Sequence, residues 1–190
     1  MAARGSEGIW ASGTLIQGAS SVTGPTYGGT ILGTMQEVTL IVDDILVPLP
    51  HPEYGDRAGD YLIMGQEIIL STLISDWDPD AVAAAFPNVA AGSVSHPKSG
   101  NIPVVTWGPT LTTGVGDLLS ARASTLLLVP KDSARHPGLF IYEALPSMRQ
   151  SRLNWHATAD GNLTALITWL AIPNSSEVLA KIAALADMGF

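Results

Sequence analysis

The clearest signal along the chain is alternation. Between Thr30 and Pro50 the run TILGTMQEVTLIVDDILVPLP sets Val38, Leu40 and Val42 on one face of an extended chain and Glu37, Thr39 and Asp43 on the other. A period of two predicts a half-buried strand. Pro48, Pro50 and Pro52 end it, because proline has no N–H to give to a ladder. After the polar loop HPEYGDRAGD, the run YLIMGQEIILSTLIS from Tyr61 to Ser75 predicts a long, well-buried strand. IPVVTWG predicts a short one, and ASTLLLVP and GLFIYEALP predict two more across the turn-rich KDSARHP. RLNWHATADGNLTALITWLAI predicts a hairpin around Asp160-Gly161, a pair suited to a type I′ turn because both central residues need φ > 0. Residues 87–101, with Pro87, Gly92, Pro97 and Gly100, read as loop.

Two stretches read as helices instead. In SDWDPDAVAAAFPN, Asp78 suits an N-cap, Pro79 the first helical position, and Asp80 the first turn beside the positive end of the dipole. Pro87 stops this short helix. The same aspartates raise the question of a cation site, but a calcium-binding loop starting at Asp76 needs Gly at its sixth position and Glu at its twelfth. Those positions hold Ala81 and Pro87. At the C-terminus, Asn174 or Ser175 suits an N-cap and Glu177 completes a capping box, with Val178, Ile182, Leu185 and Ala186 on one face. The organisation expected is an extended, Gly/Ser/Thr-rich arm over 1–29, a mainly β domain over 30–173, and a helix over 174–190 packed on the domain or a neighbour.

Composition adds a reason to expect company. Charged residues are 14% of the chain and mean hydropathy is +0.28, against roughly a quarter charged in an ordinary domain. The longest apolar-looking run, Leu163 to Ile172, is too short and too interrupted by threonine for a membrane-spanning helix. The N-terminal MAARGSEGIW lacks the apolar core of a signal peptide. A soluble chain so poor in charge is expected to cover much of its surface with other protein. The net charge of −8 argues against phosphate-gripping recognition of nucleic acid. Its distribution is uneven: eleven acids and two bases up to Ser95, six acids and seven bases after it.

Chemistry finds little purchase. No cysteine is present, which excludes disulfides and thiolate chemistry. His51, His96 and His136 each precede proline, where extended geometry makes them turn elements, and His156 alternates within a strand beside Trp155. No G-x-S-x-G, H-E-x-x-H or Walker pattern occurs, and YGGTILG is a loop entering a strand. No catalytic residue, cofactor or metal is expected.

The order of these elements resembles that of the major tail tube proteins of long-tailed bacteriophages, over about residues 28–173. Leu32, Gly33, Thr34 and Glu37 match an early strand start, and Leu70 to Phe86 match a later strand running into a short helix that opens with acids. ASTLLLVPKDSARHPGLFIYEALP and ADGNLTALITWLAIP match the closing strands.

The resemblance implies a β-sandwich or barrel-like domain with a flanking helix. It also implies rings of about six subunits, each giving strands to one inner barrel, because even barrels of 16–18 strands leave only an aqueous channel. Stacked rings would form a virion tail tube, assembled in the host cytoplasm, that conducts viral DNA without specific binding. Its partners would be further copies of itself and other tail proteins such as the tape measure, terminator and baseplate or hub. An acidic lumen would let the polyanion slide. Glu37, Thr39, Asp43, Glu67 and Ser71 are the candidates to line it, with loop 48–60 and arm 1–29 as ring-to-ring contacts. Two alternatives stay open: another virion component (terminator, hub or capsid decoration protein), and a hydrolase or sugar- or metal-binding β domain using SDWDPD.

Overall fold

A chain whose apolar residues recur at period two must pair its strands to satisfy the backbone, and here most of it does so. The computed structural model describes residues 13–21, 23–24, 26–50, 58–75, 83, 86, 89–98, 100–107, 119–154 and 164–188. The described residues form nine strands: β1 (Gly13–Gln17), β2 (Thr30–Pro50), β3 (Ala58–Ser75), β4 (Val89–His96), β5 (Gly100–Trp107), β6 (Ser124–Pro130), β7 (Gly138–Asn154), β8 (Thr164–Ile172) and β9 (Ala180–Ala183). The protein is mainly β.

Hydrogen-bonded neighbours run β6-β1-β2-β3-β8-β7-β9, and β6 also pairs with β7. Six antiparallel strands therefore close a cycle, β1-β2-β3-β8-β7-β6, which leaves a small barrel without open edges in its wall. Its interior holds Leu15, Leu32, Met35, Leu70, Ile74, Leu126, Leu128, Ile141, Ile167 and Trp169, all buried in one cluster. Each such side chain contributes roughly 1.5–3 kcal/mol by leaving water. The hairpin β4–β5 stands apart as a two-stranded sheet, with Val89 and Val105 packed against the same cluster.

The hairpin predicted over 152–172 is present in its strands: Arg152, Leu153 and Asn154 pair with Leu166, Ala165 and Thr164. Its turn at Asp160-Gly161 lies outside the described residues, as does His156. Asp76, Asp78 and Asp80, and with them the predicted cap of the flanking helix, also lie outside them. Phe86 at the end of that segment is buried against the core.

Three expectations are corrected. Part of the supposed N-terminal arm, residues 13–17, is β1, with Leu15 and Ile16 fully buried between β2 and β6. Residues 89–96, read as loop, form β4 along β5. Among the described residues 174–188 the predicted C-terminal helix is absent. Asn174 does cap, but it caps a turn: its Oδ1 accepts from the N–H groups of Ser176 and Val178, each at 2.9 Å. Glu177 sits at φ 62, a left-handed conformation that breaks a right-handed helix at its first turn. The chain then pairs Ala180–Ala183 with Gly138–Ile141 of β7 and ends in a single 3₁₀ turn, Leu185–Asp187. Pairing with an available β7 edge outweighs the local helix preference of this alanine- and leucine-rich segment.

This C-terminal strap has a packing role. Met188, with Leu185 and Ala183, covers Ile16, Leu127 and Phe140, a second apolar cluster. Phe140 meets Tyr142 edge-to-face at 4.9 Å. Gly138 lies so close beneath the strap that an added Cβ would stand 2.8 Å from Leu185 Cδ2 and 2.9 Å from the Leu128 carbonyl oxygen.

Candidate functional site

β2 and β3 are longer than the barrel needs. β2 pairs with β1 only as far as Met35, and β3 pairs with β8 only from Ile68 onward. Yet β2 and β3 pair with each other from Thr34↔Ser75 to Pro50↔Ala58. Beyond the barrel they run on as a two-stranded arm with both outer edges unpaired among the described residues. Pro48 and Pro50 stand where β2 has an outer edge unpaired among the described residues, and an edge strand is where a missing ladder donor is tolerated. For this reason β2 continues past Pro48, where the sequence reading ended it.

The near half of the arm keeps its alternation. Val38 and Leu40 pack on the core cluster, and opposite them Thr72, Leu70 and Ile68 are buried. The other face carries the five residues singled out from the sequence, in register: Glu37 opposite Leu73, Thr39 opposite Ser71, and Asp43 opposite Glu67. All five thus share one face of the sheet. Glu37, Thr39 and Asp43 are exposed, while Ser71 and Glu67 are half-buried.

That face extends across the barrel wall. Ser71 pairs with Thr168, with their hydroxyl oxygens 3.2 Å apart, and Thr168 pairs with Ser147. A break in the β7 ladder after Ser147 brings Ser151 inward. Its Oγ accepts from the Thr168 N–H at 2.9 Å and donates to the Ser147 carbonyl at 2.6 Å. Glu143, opposite Ile172, adds a fourth carboxylate on this face by parity with Leu170 and Ile69. Like charges opposite one another, as at Asp43 and Glu67, weaken a lone sheet.

The far half breaks the alternation. From Ile45 to Leu49 and from Tyr61 to Met64 both faces are apolar, and a register shift between Ile45 and Leu46 marks the change. Ten large apolar residues of the arm are between 42% (Val47) and 65% (Ile63) exposed. Together they leave on the order of 1,000 Å² uncovered, above the few hundred Å² of a typical monomer's largest patch and near one partner's share of a standard interface. Tyr61 to Met64, expected to be well buried, are exposed because no third strand reaches them. The sequence signal for this surface was the low charge, which pointed to covered surface without saying where.

A cleft opens at the foot of the arm. It is lined by Met64, Gly65, Gln66 and Ile68 on one side and by Pro173 and Glu177 to Ala180 on the other. Gln66 Nε2 donates to Asp44 Oδ1 at 3.0 Å beside it. Among the described residues no group of three His, Cys, Asp or Glu is placed to hold a metal ion, and no helix is long and apolar enough to cross a membrane. Compared with models of known protein families and with curated proteins, the chain matches none.

Proposed function

We propose that this chain is a structural subunit of the tail-tube kind, which assembles through its β2–β3 arm into rings that stack around a pore for viral DNA. The observation that carries this reading is the arm itself. It is a paired ribbon whose far half, but for Asp60, is apolar on both faces and left exposed by the described residues. A two-stranded ribbon alone in water is marginal at best, so such an arm fits a chain that completes its sheet with other copies. The acidic face of the near half, bearing Glu37, Asp43, Glu67 and Glu143, supports a wall that faces a polyanion without gripping it.

Negative-stain electron microscopy of the purified chain tests the reading. Rings or stacked tubes with a central hole are expected. A protein that sediments as a monomer at high concentration would overturn it.

A further inference from the structure

We infer that the cleft at the foot of the arm is the seat for the far half of the arm of a second copy. The inference rests on the assembly reading and adds the surface that receives the arm.

The cleft exists because the sheet parts there. The last β3–β8 pair is Ile68↔Ala171, and β8 makes its final pair with β7 at Ile172↔Glu143. The chain then swings out through the Asn174–Val178 turn before rejoining β7 as β9. Leu179 marks the return, its carbonyl accepting from the Tyr142 N–H at 3.3 Å. One place in the sheet is thereby left empty between the lower half of β3 and β9. Among the described residues β3 below Ile68 has no neighbour but β2, and β9 ends its sheet with only β7 beside it. Unpaired strand edges are the usual template for an added strand.

The rim suits the arm in chemistry. Met64 and Val178 of the lining stand exposed, at 62% and 39%, and Ile182, two residues further along β9 than the lining Ala180, extends this apolar edge at 52%. The far half of the arm, Ile45–Pro50 paired with Ala58–Gly65, carries a single charge, Asp60 opposite Leu49, so seating Ile45–Val47 and Leu62–Gly65 desolvates no charge on that side. It is also left exposed by its own barrel, its large apolar residues being between 42% and 65% exposed. Six residues of β2 beyond Asp44 extend it by roughly 20 Å, past the last pair that β3 makes with β8. Beyond the shared Met64 and Gly65, the arm residues Ile45–Pro50 and Tyr61–Ile63 lie outside the cleft lining, so their contact with it is head-to-tail, the kind that yields closed rings or open filaments.

The absence of cysteine makes the test clean. Leu62→Cys on the arm and Ile182→Cys on the rim are combined in one chain, assembled and mildly oxidised. A covalent ladder of multimers is expected from the double variant, covalent dimers from a mixture of the two single variants, and monomers from each alone. Assemblies that form without such links overturn the inference, as do dimers from Leu62→Cys alone, which would mean tip-to-tip contact. Independently, Ile182→Glu is expected to raise the concentration needed for half-assembly at least tenfold with thermal unfolding unmoved. Unchanged assembly of Ile182→Glu would overturn the seat and leave the tube reading intact, whereas wild-type protein that never associates would overturn both.

Discussion

Two parts of this molecule are built from the same kind of sequence and meet opposite fates. STLLLVP in β6 and DILVPLP in β2 are both short apolar runs ending in proline, yet Leu126, Leu127 and Leu128 are fully buried while Ile45, Leu46 and Val47 are about half exposed. The difference is pairing. β6 is held on both sides, by β1 and β7, within a cycle that closes on itself. The far half of β2 has β3 and nothing else. Apolar content states how much surface wants cover; strand connectivity decides whether the cover comes from the same copy or from another.

This contrast is open to attack by substitution, with stability effects falling from barrel to strap to arm. Trp169→Ala in the barrel core is expected to cost about 3–5 kcal/mol in chemical denaturation, since Trp169 is fully buried. A near-neutral result would show that the barrel is not the stable part. Met188→Ala should cost about 2–3 kcal/mol by uncovering the second cluster, with Ile16, Leu127 and Phe140 left to water. Gly138→Ala should cost about 1–3 kcal/mol, because one of the atoms its Cβ meets is the Leu128 carbonyl, which cannot step aside. Asn174→Ala, which removes two turn hydrogen bonds, should cost about 1 kcal/mol and speed hydrogen exchange at Ser176 and Val178. Ile63→Ser on the arm should move unfolding by no more than about 0.5 kcal/mol while abolishing assembly in sedimentation. If it destabilises the isolated chain instead, the arm belongs to the core and the comparison fails.

How much of this could be read beforehand follows from the same physics. The β-branched runs of β2 and β3 were legible, and so was the alternation that brings Glu37, Thr39, Asp43, Glu67 and Ser71 to one face. That face needed only parity. β1 was hidden inside a Gly/Ser/Thr-rich stretch because five residues, GTLIQ, give too short a pattern to stand out. β4, VAAGSVSH, is built of small residues whose strand identity comes from β5 beside it. The C-terminal segment misled because LAKIAALA has helical spacing, and only the partner strand Gly138–Ile141 makes it extended. The arm's exposure was equally out of reach, since burial of Tyr61–Met64 depends on which strands stop short of them.

The prolines of β2 carry a consequence for a single chain whose arm is exposed. A newly made ribbon with bare apolar faces is the type of object that zips edge to edge into runaway fibres. Pro48 and Pro50 leave that ribbon two backbone donors short, and proline on an edge is a common guard against continuous pairing with a stray strand. The same ribbon thus carries both a bare apolar surface and a local obstacle to fibre-like zipping.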